Sequence, residues 1–482
     1  MDGSSLTRSS RSSKPRSSPK GDERDKGLLR SDRGAASRRI RRGGVASSVP
    51  GGRGDSALIA PRLRVGFAAV VWAAVFLGGE GAWAASALTV EQVVDLALQI
   101  NSQVRSAEAR WYSAEHQILQ NFAPADPTIS YANIGSKTNG FTEPADLSVS
   151  VSQPLQFPGK GYLQGQSAKR TAKIAWLTYQ AARRDVRAQA ETASYQLVLD
   201  QALFAVGAEN VATLKQVLQV TQVAYSTGRV TQLDFISAEF DLSAVEQQQT
   251  QLEVGIATDR ANLNQILQRG PEEPLEIDGR LELAPIGPRI EALVEAASQA
   301  RQEILQAALT AENSETALTL AKLEYAPDFT LGYTYDHFQF AAAAPDTVHL
   351  QTHSVSVGLT MPIFFWYRQK EDVERARFDL EAARQDVRSI RLQTAAQVTN
   401  VYRQAQLAYR TALLYRDSLV PLARQGVNVA LVAYQGGKID FTTLASALQQ
   451  RNSARVTYLQ QANQFLAQRT ALEQAIGHPL SE

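Results

Sequence analysis

Cysteine is absent from all 482 residues, and only two Met and five His occur. Without Cys there is no disulfide framework, no thiolate zinc site, no cysteine nucleophile and no residue to accept a lipid anchor or prenyl group. His116, His337, His349, His353 and His478 are too few and too scattered for a convincing triad or metal site. A phosphate-cradling P-loop and a Ser/His/Asp grouping are missing as well. The chain is therefore not expected to be an enzyme or to need a cofactor or metal. Net charge is nearly absent too, at +1, but that figure averages two unlike segments. Residues 1–60 hold 14 Lys/Arg against 6 Asp/Glu, which leaves residues 61–482 at −7. No nucleic-acid partner is expected.

Residues 1–60 are rich in Ser, Arg and Gly and nearly free of large apolar side chains, so they cannot bury enough surface to offset ordering entropy. They read as a disordered basic segment or as excess sequence ahead of the genuine start. Arg62 and Arg64 then precede the apolar run Val65 to Gly79 and the small-residue site Ala82-Trp83-Ala84. A positive flank, an apolar run of about 15 residues and an A-x-A site describe a secretory signal peptide over 61–84. The mature chain is expected to start at Ala85. No later run reaches about 18 consecutive apolar residues, so no transmembrane helix is expected.

What is there in abundance is self-similarity. Asp126-Pro127-Thr128-Ile129-Ser130-Tyr131 returns as Asp328-Phe329-Thr330-Leu331-Gly332-Tyr333. Ser148-Val149-Ser150-Val151, followed by Pro154-Leu155, returns as Ser354-Val355-Ser356-Val357, followed by Pro362-Ile363. Ala224-Tyr225-x-x-Gly228-Arg229-Val230 returns as Ala433-Tyr434-x-x-Gly437-Lys438-Ile439. Three landmarks repeated in order imply a tandem duplication, with repeats over 85–285 and 286–482. Residues 270–288 contain four Pro and read as a linker.

Each repeat changes period in the same way. A helix over about 89–122 is expected first, with its equivalent early in the second repeat. Strand hairpins then follow near 127–154 and 328–362, because Leu147, Val149 and Val151 alternate with Ser148, Ser150 and Ser152, and Val355, Val357, Leu359 and Met361 alternate with Ser354, Ser356, Gly358 and Thr360. Long helices should fill 160–269 and 367–476, each turning at a Gly (228 and 437). Ala376, Leu380, Ala383, Val387, Ile390, Thr394, Val398, Val401, Ala405, Ala408, Ala412, Tyr415, Leu419 and Leu422 step three and four residues apart, a coiled-coil seam. Pro421 should kink that helix near its end.

Four strands with one apolar and one small polar face cannot close a barrel, since even small barrels need about eight. Oligomerisation would remove the two sheet edges, the apolar face would suit lipid and the Ser/Thr/Gly face a wet lumen.

On these residues the chain resembles the TolC-like outer-membrane efflux proteins, the outer-membrane factors of tripartite export systems. The specific parts are Gln153-Pro154-Leu155-Gln156-Phe157-Pro158-Gly159-Lys160 and the two A-Y-x-x-G-[RK]-[VI] turns. The resemblance implies a mainly α fold with a small β part. Duplicated long-helix hairpins would form a trimeric α-helical tunnel, continued by a shared 12-stranded transmembrane β-barrel with four strands per chain. It implies a homotrimer in the bacterial outer membrane that extends into the periplasm. The partners would be outer-membrane lipid, a periplasmic adaptor (membrane fusion) protein and an inner-membrane pump, and the cargo small toxic compounds or metal ions. A type I protein-secretion duct needs the same conduit, and a non-transporting coiled-coil envelope scaffold is the reading from another class. Carried over, Tyr225, Gly228, Arg229, Tyr434, Gly437 and Lys438 would form the adaptor-docking tips, with Arg229 and Lys438 serving either docking or only the carbonyl ends of their helices. Asp234 and Asp440 would be candidates for a periplasmic gate or simply helix caps. His337, His349 and His353 fall around the second hairpin and are expected on a loop surface without a metal.

Overall fold

The computed structural model describes residues 87–134, 137–138, 141–142, 146–341 and 347–480. The basic segment expected over 1–60 and the signal peptide over 61–84 lie outside the described residues.

Helix α1 (Val90–Ile100) starts at a capping box in which the Thr89 hydroxyl accepts the Gln92 N–H and the Gln92 side chain accepts the Thr89 N–H. Sequence periodicity suggests that this helix continues to residue 122, but Asn101 breaks it. With φ −62° and ψ 130°, Asn101 ends α1 and caps α2 (Ser102–Phe122). Its Oδ1 accepts the Gln103 N–H at 2.9 Å, and its Nδ2 donates to the Ile266 carbonyl at 2.9 Å. That second bond reaches a segment 165 residues away, so local periodicity carried no sign of it. The second repeat breaks at Arg301 (φ −66°, ψ 125°), between α5 (Ile290–Ala300) and α6 (Gln302–Leu323).

Strands β1 (Thr128–Ile134), β4 (Asp146–Leu155), β5 (Asp328–Ala341) and β6 (Thr347–Thr360) form one antiparallel sheet in the order β1-β4-β5-β6. The two-residue strands β2 (Lys137–Thr138) and β3 (Phe141–Thr142) pair separately. Each hairpin feeds directly into a long helix. Helix α3 (Lys160–Ser226) has 67 residues, about 100 Å at 1.5 Å per residue, and folds back as α4 (Gln232–Ile266). Helix α7 (Gln369–Leu414), a π turn (Tyr415–Leu419) and α8 (Val420–Gln435) span the equivalent length and return as α9 (Phe441–Ile476).

The expected seam is occupied as far as Ala412: Ala376, Leu380, Ala383, Thr394, Val398, Ala405, Ala408 and Ala412 are buried. Beyond it the expectation fails, since Leu419 and Leu422 are exposed and Val427, Ala430 and Tyr434 are buried instead. The π turn is the reason. Pro421 has no N–H and would clash with the carbonyl four residues back, at Asp417, within that turn. One extra residue in the turn rotates everything beyond it by one helical position.

The Pro-containing linker is structured rather than loose. Leu88 bonds across it (N–H to Glu276 carbonyl, 2.9 Å; carbonyl from Asp278 N–H, 3.0 Å), and Leu275 and Ile277 join the core formed by α1, α3 and α4. One 18-residue stretch of α3 has a mean hydropathy of 1.3, enough by length and composition to cross a membrane. A third of that stretch is buried, Leu197 and Val198 in that same core, and the rest of its apolar surface is not covered within the single chain.

Candidate functional site

Over the half of the sheet next to the helices two chemistries are separated; beyond the pair Asp336–Thr352 the pattern inverts, with Phe338 opposite Leu350 on the otherwise polar face. One face carries the row Ile129–Val151–Tyr333–Val355, and the neighbouring row on the other face is Ser130–Ser150–Thr334–Ser354. Further along, Leu331 pairs with Val357 and Phe329 with Leu359 on the apolar face, while Gly332 pairs with Ser356 on the polar one. The apolar side chains are uncovered, with Val357 73% exposed. A contiguous exposed apolar face is a liability in water and an asset in lipid. Phe364, Phe365, Trp366 and Tyr367, exposed and with the other three rings set T-shaped or tilted against Trp366, follow β6 where the sheet meets the helices. Such an aromatic cluster suits the interface between hydrocarbon and water.

The three histidines are on strands, not on a loop, and all share the apolar face. His337 (β5) stacks on His349 (β6) at 5.4 Å, and His353 Nδ1 lies 2.7 Å from the Tyr333 hydroxyl. Among the described residues no group of three His, Cys, Asp or Glu is placed to hold a metal ion.

Below the sheet lies a contact that the sequence flagged as a motif without assigning a role. Gly159, at φ 102°, turns the chain so that Lys160 is buried at the start of α3. Its Nζ donates to Asp328 Oδ1 and Oδ2 at 3.0 and 3.1 Å and lies 3.3 Å from Glu324 Oε1. Asp328 Oδ1 also accepts the Phe157 N–H at 2.7 Å. The start of β5 is thereby pinned to the exit of β4.

At the far end of the helices the two repeat turns have one geometry. Arg229 N–H donates to the Ala224 carbonyl and Lys438 N–H to the Ala433 carbonyl, each at 2.8 Å, and Gly228 (φ 70°) and Gly437 (φ 67°) supply the left-handed residue of a Schellman end. Val230 and Ile439 pack against one shared cluster of Leu214, Val217, Val427, Ala430, Phe441 and Leu444, so the two tips are a single unit. Arg229 and Lys438 project into solvent. Tyr225 is 44% exposed and stacks on Phe235 at 6.1 Å. Its counterpart Tyr434 is 7% exposed, packs on Phe441 and bonds the Thr221 hydroxyl at 2.9 Å.

Asp234 and Asp440 are both cap residues. Asp234 Oδ2 accepts the Thr231 N–H and hydroxyl at 2.9 and 2.8 Å. Asp440 Oδ1 accepts the Thr443 N–H at 3.0 Å and its hydroxyl, and those bonds hold the Asp440 carboxyl below the usual range. Residues that the sequence reading passed over are the apolar ones around the tips: Leu233, Ile236, Phe240, Val429 and Val432 are all exposed. The signal available for them was their departure from the buried stripe, which becomes visible only once the stripe is known.

A profile of the outer membrane efflux protein family matches residues 93–268 and 293–478. The chain is 21% identical over 404 residues to the cobalt-zinc-cadmium resistance protein CzcC of Cupriavidus metallidurans, covering 82% of this chain and 91% of that protein. It resembles the solved outer membrane protein VceC of Vibrio cholerae with a TM-score of 0.68 and 16% identity, covering 81% of this chain and 97% of that one. The open state of the MtrE outer membrane channel of Neisseria gonorrhoeae gives a TM-score of 0.69 and 15% identity, covering 81% and 89%.

Proposed function

The chain belongs to the outer membrane efflux protein family, and from that membership we propose that three copies form a passive exit duct for small toxic compounds or metal ions. The duct stands in the outer membrane and reaches into the periplasm, and it is not an enzyme. The carrying observation is the four-stranded sheet, apolar on one face and Ser/Thr/Gly on the other, whose strands run straight into 67-residue helical spans. Three sheets give twelve strands, enough to close a barrel with lipid outside and water inside. Helices about 100 Å long extend the conduit across the periplasm. Energy comes from an inner-membrane pump through a periplasmic adaptor.

The tips are the docking end. Arg229, Lys438 and Tyr225 present cations and an aromatic to the adaptor, Gly228 and Gly437 set the turn, and Tyr434 holds it from within. Asp234 and Asp440 put six carboxylates around the tunnel end of a trimer, a ring that concentrates cations and disfavours anions. The name of the CzcC relative favours divalent metal ions as cargo.

A deletion strain tests this reading by growth on zinc, cobalt and cadmium beside dyes and antibiotics. Sensitivity restored by the wild-type gene is expected. Unchanged resistance with loss of one secreted polypeptide would overturn it in favour of protein secretion. Arg229→Glu with Lys438→Glu should abolish complementation while leaving the trimer intact.

A further inference from the structure

The two outer edges of the sheet, β1 and β6, are unpaired within the chain, and the tandem repeat supplies a template for what covers them. Residues 126–131 recur at 328–333, so β1 corresponds to β5 with an offset of 202. Thr128 faces Ser152 in the first hairpin and Thr330 faces Gly358 in the second, so β4 corresponds to β6 with an offset of 206. Between the hairpins β4 pairs with β5, with Val151 opposite Tyr333 and Leu155 opposite Phe329. The same rule applied one strand further sets β6 against a β1, with Val357 opposite Tyr131 and Met361 opposite Pro127. Both members of the first pair lie on the apolar face, so the two chemistries remain continuous across the seam.

The charges at the base of the sheet follow the same logic. Lys160, six residues beyond Pro154, clamps Asp328. Two residues are inserted after β6, so Pro154 matches Pro362 with an offset of 208; the repeat counterpart of Lys160 is then Arg368, six residues beyond Pro362, and the counterpart of Asp328 is Asp126. In the single chain these two do not meet. The Arg368 side chain is 84% exposed, 4.0 Å from Asp372, and Asp126 is exposed. Lys160 serves two carboxylates, Asp328 and Glu324, whereas the position equivalent to Glu324 is Phe122. A single carboxylate suits the planar fork of an arginine.

We propose that β6 of one copy pairs antiparallel with β1 of the next in this register, and that Arg368 closes on Asp126 of that next copy. The clamp that joins the two halves of one chain is thus repeated between chains. The inference rests on the trimeric duct and adds the residues of its seam. Pairing satisfies the open backbone groups of both edges, which a bilayer leaves no other way to satisfy.

The Cys-free chain allows a direct test in outer-membrane preparations. Val357→Cys with Tyr131→Cys places two thiols directly opposite one another, and oxidation should give covalent dimers and trimers. Val355→Cys with Ile129→Cys is four residues out of register, roughly 13 Å of displacement, and should give none. In detergent, Arg368→Glu and Asp126→Lys should each lose the trimer on heating, the double charge swap should restore it, and Lys370→Glu should leave it intact. Cross-linking of the displaced pair, or a trimer indifferent to both charge reversals, overturns the register and clamp while the duct stands. A wild-type particle with the mass of one chain overturns both.

Discussion

Tyr225 and Tyr434 occupy the same place in two copies of one turn, yet one is exposed and the other carries a buried hydrogen bond to Thr221. Tyr434→Phe keeps the packing on Phe441 and leaves the Thr221 hydroxyl unpaired, so it should cost about 1–2 kcal/mol in denaturant unfolding. Tyr225→Phe should change stability by less than about 0.5 kcal/mol. In the helix walls, burial and then the nearby charge of Asp200 raise Asp259 to about 6. Above that pH the folded chain holds the Asp259 carboxylate ionised, partly desolvated and beside Asp200, a cost the unfolded chain avoids. The unfolded carboxyl titrates near 3.9, so the folded state takes up a proton as pH falls through 6 and is stabilised from pH 7 down toward pH 4. Asp259→Asn should remove that part of the pH dependence, read from unfolding midpoints at pH 7 and pH 5. Both tyrosines and both carboxyls stand plainly in the sequence. Which tyrosine is buried, and which Asp meets another, depends on α8 lying against α3 and on α3 lying against α4.

The second helical span also carries a device that the first, the uninterrupted α3, does not have. The π turn at Tyr415–Leu419 shifts the buried stripe by one residue before the tip. Deleting Ser418 would restore α geometry and swing Val427, Ala430 and Tyr434 about 100° away from their cluster. The expected outcome is a trimer that still forms but has protease-sensitive tips and fails to complement a deletion strain. Gly437 has open space where a Cβ would lie, so Gly437→Ala meets only the backbone cost of a positive φ, about 1 kcal/mol, measurable as a small fall in thermal midpoint. The turn glycines were legible because a helix end of this kind needs them. The π turn was not, since Pro421 announced only that the ladder must yield, and the neighbouring helices determined that it yields by widening. The break at Asn101 is a similar case, rewarded by a bond to Ile266 that no local window contains.

For the whole molecule, exposure is the informative quantity. Apolar side chains lie uncovered along the sheet, at the tips and at Phe378, Leu392 and Leu407 on α7. A chain left single would be poorly soluble; closed into a ring, it gives the sheet face to lipid and the helix flanks to its neighbours. The purified particle should therefore have the mass of three chains and produce stepwise conductance in a planar bilayer, and a non-conducting particle would remove the duct. The sequence by itself determined the duplication, the alternating strands, the long helices and the two glycine turns. These follow from periods of about 2 and 3.6 residues and from the steric freedom of glycine, all local properties. Only the tertiary structure decided the sheet order, the clamp of Lys160 on Asp328, the fate of each repeated tyrosine and the slip in the seam. In each of these the partner lies more than a hundred residues away or the register depends on a neighbouring element, and such distances leave no periodic trace.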